Sequence, residues 1–403
     1  MRSEHAQHWI LDPGITFLNH GSFGATPREV LAAQQAWRER LEAEPVRFMV
    51  EELEPAMDAA RSALGRFVGA DADDLAFLPN ATTGANTVLR SLELAAGDEL
   101  LTIDHEYNAV RNALQFAADR ADAQVVTAKV PFPLGSVDEL VEPILAAVTP
   151  RTRLAVLDHV TSATALVLPI GELVAELRRR GVETLVDGAH APGMVELDLA
   201  AIGAGYYAGN LHKWVCAPKG AAFLWVRPDL QAAIQPLVIS HGANSPRQDR
   251  SRFRLQFEWQ GTIDPSAWLA VPAALELGAS LLPGGWPELR RRNHDLALLA
   301  RDLLCGVTGG APPAPDAMVG SMASVPLPWE SSPIAVQGVD LYGDAVHGAL
   351  LAAGIQVMVT PWPQRPEGER WRRLLRVSAA AYNHASEMEE LAARLASVLE
   401  SVA

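Results

Sequence analysis

Residues 183–190, with the sequence ETLVDGAH, join a short strand-like run to a carboxylate, two small residues and an imidazole. The run itself, Glu183–Asp187, follows a segment, Ile170–Arg180, in which apolar residues recur with helical spacing. The same alternation of short apolar runs and helical segments extends from about residue 60 to about residue 230. The other strand-like runs are Leu75–Leu78, Glu99–Ile103, Gln124–Ala128, Arg153–Asp158 and Ala221–Val226, and the other helical segments are Thr82–Leu94, Asn108–Arg120 and Val137–Val148.

This alternation predicts the architecture of the first part of the chain. Strands that alternate with helices are joined by right-handed crossovers, which place the strands in a mostly parallel sheet covered on both faces. The continuous apolar character of the runs agrees, because such strands are buried on both sides. We therefore predict an α/β fold with a three-layer α/β/α large domain over residues 23–265, preceded by an N-terminal segment of residues 1–22.

The pattern changes after about residue 265. Two long helical patterns, Ser266–Leu282 and Trp286–Leu304, come first and are followed by a mixture of shorter elements. The expected shorter elements are strand Ser321–Leu327, a helix around Tyr342–Ala353, strand Ile355–Val359, a loop over Thr360–Arg370, strand Leu374–Ser378 and a closing helix from Ser386. This mixture predicts a smaller α+β C-terminal domain over residues 266–403.

The composition limits the class of protein. The 403 residues are 49% hydrophobic and 20% charged, as in an ordinary folded protein. Lys and Arg number 33 against 48 Asp and Glu, and the resulting net charge of −15 argues against nucleic-acid or membrane partners. The two cysteines, Cys216 and Cys305, suit a reducing compartment, and no signal peptide or long apolar stretch is evident. We therefore expect a cytoplasmic protein.

The carboxyl ends of the predicted strands carry the residues that indicate chemistry, because open α/β sheets bind ligands at this edge. The segment Pro79–Asn86 follows strand Leu75–Leu78 and opens a helix with Asn80, Thr82 and Thr83. A helix N-terminus with free N–H groups suits a phosphate. Simple capping of the helix by Asn80 or Thr82 explains the same residues equally well. This segment alone therefore leaves both interpretations open.

Asp187 and Lys213 add two further observations. A carboxylate at the end of a buried strand needs a partner, such as a cationic ring nitrogen, unless it caps the following turn. Lys213 lies in an otherwise apolar segment, where desolvation makes a lysine a usable nucleophile and base, unless it reaches the surface. Together with a phosphate-binding helix start, these residues are what a pyridoxal phosphate (PLP) site requires. The dinucleotide-like pattern at 203–208 opens no helix, so we expect no nicotinamide or flavin.

Several short motifs strengthen this interpretation through their order and spacing. They are Leu18–Gly24 (LNHGSFG), Asp104–Asn108 (DHEYN), Asp158–Ser162 (DHVTS), Asn210–Trp214 (NLHKW), Arg376–Ser378 (RVS) and Tyr382–Asn383 (YN). The set resembles the fold-type I PLP-dependent enzymes, in particular the isopenicillin N epimerase-like branch of the class V aminotransferase family. The resemblance covers nearly the whole chain and implies pyridoxal 5'-phosphate as the cofactor.

The resemblance implies a role for each matching residue at the cofactor. Lys213 looks like the lysine that forms the Schiff base and moves the proton at Cα, and Asp187 looks like the partner of the pyridine nitrogen. Residues Thr82, Asn210 and His212 resemble phosphate ligands, and Thr83 belongs to the same turn. Ser162 and His190 match residues at the ring oxygen, although many relatives carry Asn in place of Ser162. Tyr107 matches the aromatic residue that stacks on the ring, with His105 as the alternative.

The resemblance also implies substrate and partner contacts. Arg376 matches the arginine that binds the substrate α-carboxylate through a bidentate fork, with a surface strand-end charge as the alternative. Asn19 and His20 are expected to line the same pocket. Thr262 resembles a threonine that reaches the phosphate of the neighbouring subunit. The site would then be shared between two subunits, and the protein would be a homodimer that acts on a small amino-acid substrate.

The cofactor alone does not determine the reaction. After Lys213 removes the α-proton, an epimerase returns a proton to the opposite face, an aminotransferase transfers one to the cofactor, and a C–S β-lyase expels a sulfur group. A desulfurase would need a mobile loop cysteine, which neither Cys216 nor Cys305 resembles. The resemblance favours the epimerase, with Tyr107, His20 and His190 as candidates for a second acid.

Three alternatives stay open from the sequence: a β-lyase acting on a cysteine conjugate, an aminotransferase, and a cofactor-free binding protein on the same scaffold. The side chain of the substrate is equally open. Arg47, Arg247 and Arg250 could bind a second carboxylate, with solvated surface arginines as the alternative.

Overall fold

The computed structural model describes residues 3–328, 343–363 and 372–402. The strands in these ranges are β1 (Thr16–Phe17), β2 (Leu75–Leu78), β3 (Glu99–Ile103), β4 (Gln124–Ala128), β5 (Thr152–Asp158), β6 (Glu183–Gly188), β7 (Tyr206–Asn210), β8 (Ala222–Val226), β9 (Met322–Pro326), β10 (Ile355–Gln356), β11 (Met358–Trp362) and β12 (Arg372–Ser378). The helices are α1 (His20–Phe23), α2 (Arg28–Ala43), α3 (Pro45–Arg47), α4 (Leu53–Val68), α5 (Ala81–Ser91), α6 (Asn108–Ala121), α7 (Asp138–Ala146), α8 (Ile170–Arg179), α9 (Leu199–Ile202), α10 (Arg252–Glu258), α11 (Ser266–Leu269), α12 (Val271–Ser280), α13 (Gly285–Thr308), α14 (Ala345–Ala352) and α15 (Ala385–Val402).

A seven-stranded sheet forms the centre of the fold, in the order β2-β8-β7-β6-β5-β3-β4. The neighbours from β7 to β4 are all parallel, whereas β8 runs antiparallel to both β2 and β7. The parallel strands are connected through helices, as the alternating sequence pattern predicts. The prediction of an α/β fold with a mostly parallel sheet is confirmed.

Helices cover both faces of this sheet. Successive strand residues point to opposite faces, so Leu100 packs into one apolar layer and Leu101 into the other. Side chains of α5 and α6 fill the layer of Leu100, and side chains of α4, α7, α8 and α12 fill the layer of Leu101. This double coverage buries the strands on both sides, except for the partly exposed edge strand β4, and gives the predicted three layers.

Strand β7 lies in the middle of the sheet but was not among the predicted strands. Its sequence, YYAGN, contains a glycine, which is unfavourable in a strand interior. The structure explains the glycine, because a Cβ atom at Gly209 would lie 2.6 Å from the ring of Phe223 on β8. Gly203 and Gly205 therefore precede a strand, in contrast to the dinucleotide motif, whose glycines follow one.

The C-terminal part of the chain builds a second, antiparallel sheet in the order β11-β12-β9. A separate apolar cluster fills the space between this sheet and helices α13, α14 and α15. Leu18, from the N-terminal segment, packs into the same cluster. The expected mixture of strands and helices is present. The division of the chain at residues 22 and 265 stays a prediction.

Several predicted elements of the C-terminal part have different bounds. The pattern over Ser266–Leu282 forms two helices, α11 and α12. Thr360 to Trp362 belong to β11, although a loop was predicted there, and most of the remainder of that loop lies outside the described residues. The helix predicted around Tyr342–Ala353 is α14, and Tyr342 itself also lies outside them.

No single helix among residues 3–328, 343–363 and 372–402 is both long and apolar enough to cross a membrane. One bent helix pair, Ser266–Ser280 with Gly285–Thr308, passes the same test of length and composition, with a bend of 72° between its two parts.

Candidate active site

Three neighbouring strands of the large sheet end in polar side chains at one edge. β5 ends at Asp158, β6 carries Asp187 before its last residue, and β7 ends at Asn210. Asp158 is paired with Asp187 in the parallel register, and each is 3% exposed. Because the carboxyl ends of parallel strands coincide, residues far apart in the sequence become neighbours here.

Glu106, Asp158 and Asp187 form a group that we call the carboxylate cluster. Their ligand oxygens lie within 4.8 Å of one another. Burial and the neighbouring acids raise the pKa of Glu106 and Asp158 well above the usual values, and burial raises the pKa of Asp187. Asp187 has compensating contacts, because its Oδ1 accepts a 2.9 Å hydrogen bond from the N–H of Ala189 and the charge of Lys213 acts on it. Asp187 is therefore the member best suited to carry a negative charge.

Glu106 and Asp158 were not predicted as site residues, although both lie in motifs on which the family resemblance rests. The sequence does contain a signal for these two residues, because an acidic residue stands at or close to the end of each of the strands β3, β5 and β6. The same oxygens are of the type that binds divalent cations. The charge of Lys213 acts on Asp158 and Asp187, so the cluster lies beside the amine that a PLP site requires.

Lys213 lies in the turn between β7 and β8 and is half-buried. Its Nζ atom is 3.0 Å from Nε2 of His190. Burial and the charge of Arg376 lower the pKa of Lys213 to about 7, although Asp187 and Asp158 oppose this shift. The sequence has three lysines, of which Lys129 is exposed and Lys219 donates a hydrogen bond to the carbonyl of Gly24. Lys213 is therefore the lysine with the position and the pKa of a nucleophile.

His190 connects Lys213 to Trp214. The Trp214 indole N–H can only donate, so Nδ1 of His190 accepts this 3.4 Å hydrogen bond, and the proton of the neutral imidazole is on Nε2. Burial and the charge of Lys213 hold the pKa of His190 well below its usual value. The Nε2–H group consequently points at the Lys213 amine and is a donor for it or for a ligand oxygen in its place.

Arg376 is in the middle of β12 and is 1% exposed, so it is not a surface strand-end charge. Its guanidinium group donates to the backbone carbonyl of Ser162 at 2.8 Å and to Oγ of the same serine at 3.3 Å. It also donates to Ser22 at 3.0 Å and to Asn19 at 3.3 Å. The structure therefore brings Arg376 together with three of the polar residues that the sequence motifs contain.

The N-terminus of α5 forms the other end of the site. Asn80 caps this helix, because its side chain accepts a 2.8 Å hydrogen bond from the N–H of Thr83. The side chain of Asn210 accepts a 2.8 Å bond from the N–H of Ala81, which ties the end of β7 to the helix start. Thr82 is half-buried in the same first turn, so the predicted phosphate-binding residues of α5 and β7 are brought together.

His212 is placed next to Lys213 but has its own structural bond. One ring nitrogen, Nδ1, is 3.0 Å from the carbonyl oxygen of Ala221, so it donates to that oxygen. Burial and the charge of Lys213 lower the pKa of His212 to about 4. The ring is therefore neutral with its proton on Nδ1, so Nε2 is an acceptor and could bind a phosphate only through a protonated phosphate oxygen or after taking up a proton itself.

Two predicted site residues are exposed on the isolated chain. Tyr107 stands just before α6 and is 43% exposed, which leaves its ring available to cover a bound cofactor. Thr262 is also exposed, in the turn that follows α10. The alternative to Tyr107, His105, is fully buried and is bonded to Thr164 at 2.8 Å and to the carbonyl of Val130 at 3.0 Å. His105 therefore cannot take the stacking position.

The chemistry of these residues fits PLP. The start of α5 offers a positive dipole end and the side chain of Thr82 to a phosphate group, while the N–H groups of Ala81 and Thr83 donate to Asn210 and Asn80. Asp187 offers an acceptor to a protonated pyridine nitrogen, and Asp158 Oδ2 has no hydrogen-bond partner among the described residues. Lys213 offers an amine for the aldehyde. Together these groups supply the three contacts that the cofactor needs at one edge of the sheet.

The fold and the site define a fold-type I PLP-dependent enzyme. The family model described as aminotransferase class-V matches residues 17–391. The chain is 41% identical to an isopenicillin N epimerase of Amycolatopsis lactamdurans over 96% of this chain and 95% of that protein. A probable L-cysteine desulfhydrase of Arabidopsis thaliana is 34% identical over 81% of this chain and 71% of that protein. The chain therefore belongs to the class V aminotransferase family.

A solved structure has the same fold. It is a complex between the cystine C–S lyase C-DES and its reaction product cysteine persulfide, and it is 24% identical to this chain. The superposition has a TM-score of 0.76 and covers 95% of this chain and 98% of that one. At this identity the similarity supports the fold alone.

Proposed function

We propose that this enzyme is an amino-acid epimerase that inverts the configuration at Cα. The observation that carries the proposal is the 41% identity to an isopenicillin N epimerase over nearly the full length of both chains. The half-buried lysine and the buried aspartate and arginine of the site are the groups that such a reaction needs. The amino-acid substrate class follows from the family, whereas its side chain is left open.

The side chains divide the proposed work between them. Arg376 would bind the α-carboxylate, because a buried guanidinium group offers a planar pair of donors. Lys213 would take the α-proton, since an amine with a pKa of about 7 is partly unprotonated at neutral pH. His190 would orient the reacting nitrogen through its Nε2–H group. When bound, PLP supplies a protonated ring that accepts the electron pair released at Cα.

An epimerase also needs an acid on the face opposite Lys213. Of the three candidates, His20 is 1% exposed and has both ring nitrogens bonded to other groups, and His190 lies on the side of Lys213 itself. Tyr107 has an exposed side chain, and its backbone N–H donates to Glu106 of the carboxylate cluster at 3.1 Å. We therefore assign the second acid to Tyr107.

The two cysteines argue against a reaction that transfers sulfur to the protein. Burial raises the pKa of Cys216 to about 12, so its thiol is protonated at neutral pH and is a weak nucleophile. Cys305 is buried near the end of α13, and burial raises its pKa as well. Neither cysteine has the exposed loop position that a sulfur acceptor needs.

A C–S β-lyase is the second candidate function. The specific observation in its favour is the 34% identity to a probable L-cysteine desulfhydrase over 81% of the chain. The same lysine and arginine would serve that reaction, which breaks the Cβ–S bond and releases a thiol, ammonia and pyruvate. The site residues alone do not separate the two reactions, because both begin with removal of the α-proton.

One experiment separates the reactions. The purified enzyme with PLP is incubated with candidate amino acids, including cysteine conjugates, in deuterated water, and products are analysed by mass and chirality. Deuterium at Cα with inverted configuration supports the epimerase. Pyruvate with a released thiol establishes the lyase and overturns the proposal, and the 2-oxo acid of the substrate establishes an aminotransferase.

The structure bears on the side chain of the substrate in one respect. Each of Arg47, Arg247 and Arg250 is ion-paired with an acidic residue. The partners are Glu52 for Arg47, Glu54 and Asp249 for Arg247, and Asp58 and Glu258 for Arg250. A second substrate carboxylate would have to displace one of these partners. We therefore assign no substrate contact to the three arginines.

We further propose a cytoplasmic homodimer with a shared active site. Several apolar side chains are exposed in the segment before α4, in the segment 237–239 and beside Thr262, namely Val46, Val50, Leu237, Val238, Ile239 and Ile263. A second copy of the chain would cover such side chains, and it would bring Thr262 to the phosphate of its partner. Light scattering on the purified enzyme would give the mass of a dimer, and the mass of a monomer would overturn this part. The free cysteines Cys216 and Cys305 suit a reducing compartment.

A further inference from the structure

The segment Leu18–Gly24 contacts the guanidinium group of Arg376 and the backbone of Lys213, and we call it the N-terminal clamp. Its His20 is bonded to the backbone of Lys213, with Nε2 at 2.9 Å from the carbonyl oxygen. Its Asn19 and Ser22 accept hydrogen bonds from Arg376 at 3.3 and 3.0 Å. Adjacent residues of one segment therefore hold the lysine turn and the arginine side chain.

The protonation state of His20 follows from its two partners. A backbone carbonyl can only accept, so Nε2 of His20 carries a proton and donates it to the carbonyl of Lys213. Nδ1 is then the acceptor, and the hydroxyl of Tyr382 donates to it at 2.8 Å. His20 is 1% exposed and Tyr382 is 3% exposed. Because both ring nitrogens are bonded in a buried place, His20 is a neutral structural donor and does not line the substrate pocket.

The lysine turn needs such support. Cys216 has a φ of 61°, which is unfavourable for a residue with a side chain. The N–H of Cys216 donates to the same Lys213 carbonyl at 2.9 Å, so this carbonyl closes the turn and accepts from two donors. Gly24, with a φ of 69°, packs so closely on the carbonyl of His212 that a Cβ atom would collide with it. The clamp thus contacts two successive carbonyls, those of His212 and Lys213, at the start of the turn.

The clamp is also bonded to β12, in the second, antiparallel sheet. The N–H of Gly21 donates to Oγ of Ser378 at 3.1 Å, and the N–H of Ser378 donates to the carbonyl of Leu18 at 2.8 Å. Oγ of Ser22 donates to Oδ1 of Asn19 at 2.7 Å, which aligns the two acceptors of Arg376. The clamp is therefore attached to the strand that carries Arg376 and to the turn that carries Lys213.

We propose that the N-terminal clamp sets the separation of Lys213 and Arg376, with His20 and Tyr382 acting as positioning residues for the lysine and Asn19 as a positioning residue for the arginine. The proposal rests on the roles given above to Lys213 and Arg376. It assigns Asn19 and His20 an indirect action, in place of the direct substrate contact that the sequence predicts. A displacement of about 1 Å at such groups can reduce turnover about 100-fold.

The test begins with the cofactor-free protein, so it does not depend on which reaction the enzyme catalyses. Each lysine is labelled with an acylating reagent over a range of pH values and quantified by mass spectrometry, with exposed Lys129 as the internal reference. In the parent protein, Lys213 should titrate near a pH of about 7, because burial and Arg376 lower its pKa while Asp187 and Asp158 raise it. His20→Leu fills the space of the imidazole with an apolar side chain, which cannot donate to the Lys213 carbonyl.

We expect His20→Leu to raise the titration midpoint of Lys213 by about one pH unit or more, because a loosened turn exposes the amine to water. Tyr382→Phe should shift it in the same direction by less, since His20 keeps its proton on Nε2. The matched control is Tyr206→Phe, which removes another buried tyrosine hydroxyl without contacting the clamp. An unchanged midpoint in folded His20→Leu, or an equal shift in the control, would overturn the proposal.

A second variant, His20→Gln, covers the case in which His20→Leu does not fold, because the glutamine side-chain amide can still donate to the Lys213 carbonyl. With this variant folded, a midpoint close to that of the parent protein supports the role of the donor, and a shift as large as that of His20→Leu contradicts it. With the loaded enzyme and its substrate, His20→Leu should lower kcat about 10- to 100-fold with little change in KM, and Asn19→Ala should mainly raise KM. Equal effects of both variants on both constants would indicate a merely structural segment.

Discussion

Two groups of buried or half-buried charges in this protein are built in opposite ways. The carboxylate cluster places three acids of the same sign at the edge of the large sheet. A second group, which we call the arginine network, joins α4 to α10 and the loop before it with charges of opposite sign in contact. Its members are Asp58, Arg61, Arg250, Arg254 and Glu258.

The pKa values follow this difference. Burial raises the pKa of Asp58, but hydrogen bonds and charges from Arg250, Arg254 and Arg61 lower it to about 2 overall. Burial and its acidic neighbours instead raise the pKa of Asp158 well above 3.8. The arginine network places each acid in contact with arginines and stabilises the fold. A buried group of acids alone instead requires a cation that the strands do not supply. This contrast marks the carboxylate cluster as the functional one.

The largest effect is expected from removing the lysine that faces the carboxylate cluster. Lys213→Ala should reduce turnover by at least about 10² to 10⁴-fold, since it removes both the proposed base and the amine that holds the cofactor. The near-visible absorbance of the PLP-loaded protein should be lost in the same variant. Lys129→Ala is the matched control, and an unchanged spectrum in Lys213→Ala would refute the assignment.

The next largest effect is expected within the carboxylate cluster itself. Asp187→Asn should lower turnover by about 10² to 10³-fold, because an amide cannot stabilise a protonated ring nitrogen as a carboxylate does. Steady-state kinetics of Asp187→Asn and Asp158→Asn, measured side by side, check the expectation. We expect the Asp158 variant to lose less than about tenfold, and a reversed order would move the role of ring partner to Asp158.

Breaking the arginine network should affect stability and not chemistry. Arg254→Met removes a 7% exposed guanidinium group from Asp58 and Glu258, and we expect the free energy of unfolding to fall by roughly 3 kcal/mol. Urea unfolding of the cofactor-free protein measures this change. Arg38→Met breaks an exposed pair with Asp264 and should cost less than about 1 kcal/mol. A loss no larger in Arg254→Met than in Arg38→Met would show that the network is not stabilising.

The smallest expected effect is a change in stability whose sign differs between the carboxylate cluster and the arginine network. An acid whose pKa is raised by folding contributes stability below its ordinary pKa, and this contribution is lost as the pH rises toward the folded pKa. Asp158→Asn should therefore make the cofactor-free protein more stable at pH 8, by about 1 kcal/mol. Asp58→Asn, the same chemical change in the arginine network, should make it less stable there.

The pH dependence separates these two variants further. The folded pKa of Asp58 is lowered to about 2, so its contribution is present above 3.8 and is lost as the pH falls through about 2. The gap between Asp58→Asn and the parent should close over that range, whereas the gain of Asp158→Asn should grow as the pH is raised from 4. Unfolding curves at a series of pH values measure both, and shifts of the same sign would remove the contrast between the groups.

Much of the large sheet could be predicted from local patterns. Three strands, Leu75–Leu78, Glu99–Ile103 and Gln124–Ala128, have the predicted bounds. The first two are buried throughout because both faces of the sheet are covered there, so burial leaves a direct trace in the sequence. The third lies at the sheet edge and is partly exposed. Strand β7 leaves no such trace, since Gly209 is required by the ring of Phe223 on a neighbouring strand. That requirement depends on a contact between strands and is invisible along the chain.

Most residues of the site could be predicted from the sequence, but how they are arranged could not. Asp187, Lys213 and Arg376 were identified from motifs, and the structure brings them to one region. Glu106 and Asp158 were overlooked, because the proximity of three acids depends on which strands are neighbours. His20 was assigned to the pocket, yet both of its ring nitrogens are used by Lys213 and Tyr382.

The sequence by itself determined the family, the cofactor, the mostly parallel sheet and the residue types at the strand ends. These features are properties of single segments and their order. Only the tertiary structure decided that Asp187 is accompanied by two further acids, that Arg376 is buried, and that Asn19 and His20 are bonded to Arg376 and to the backbone of Lys213. Those facts depend on distances between segments far apart in the chain, which hydrogen bonding and burial set only when the whole chain is packed.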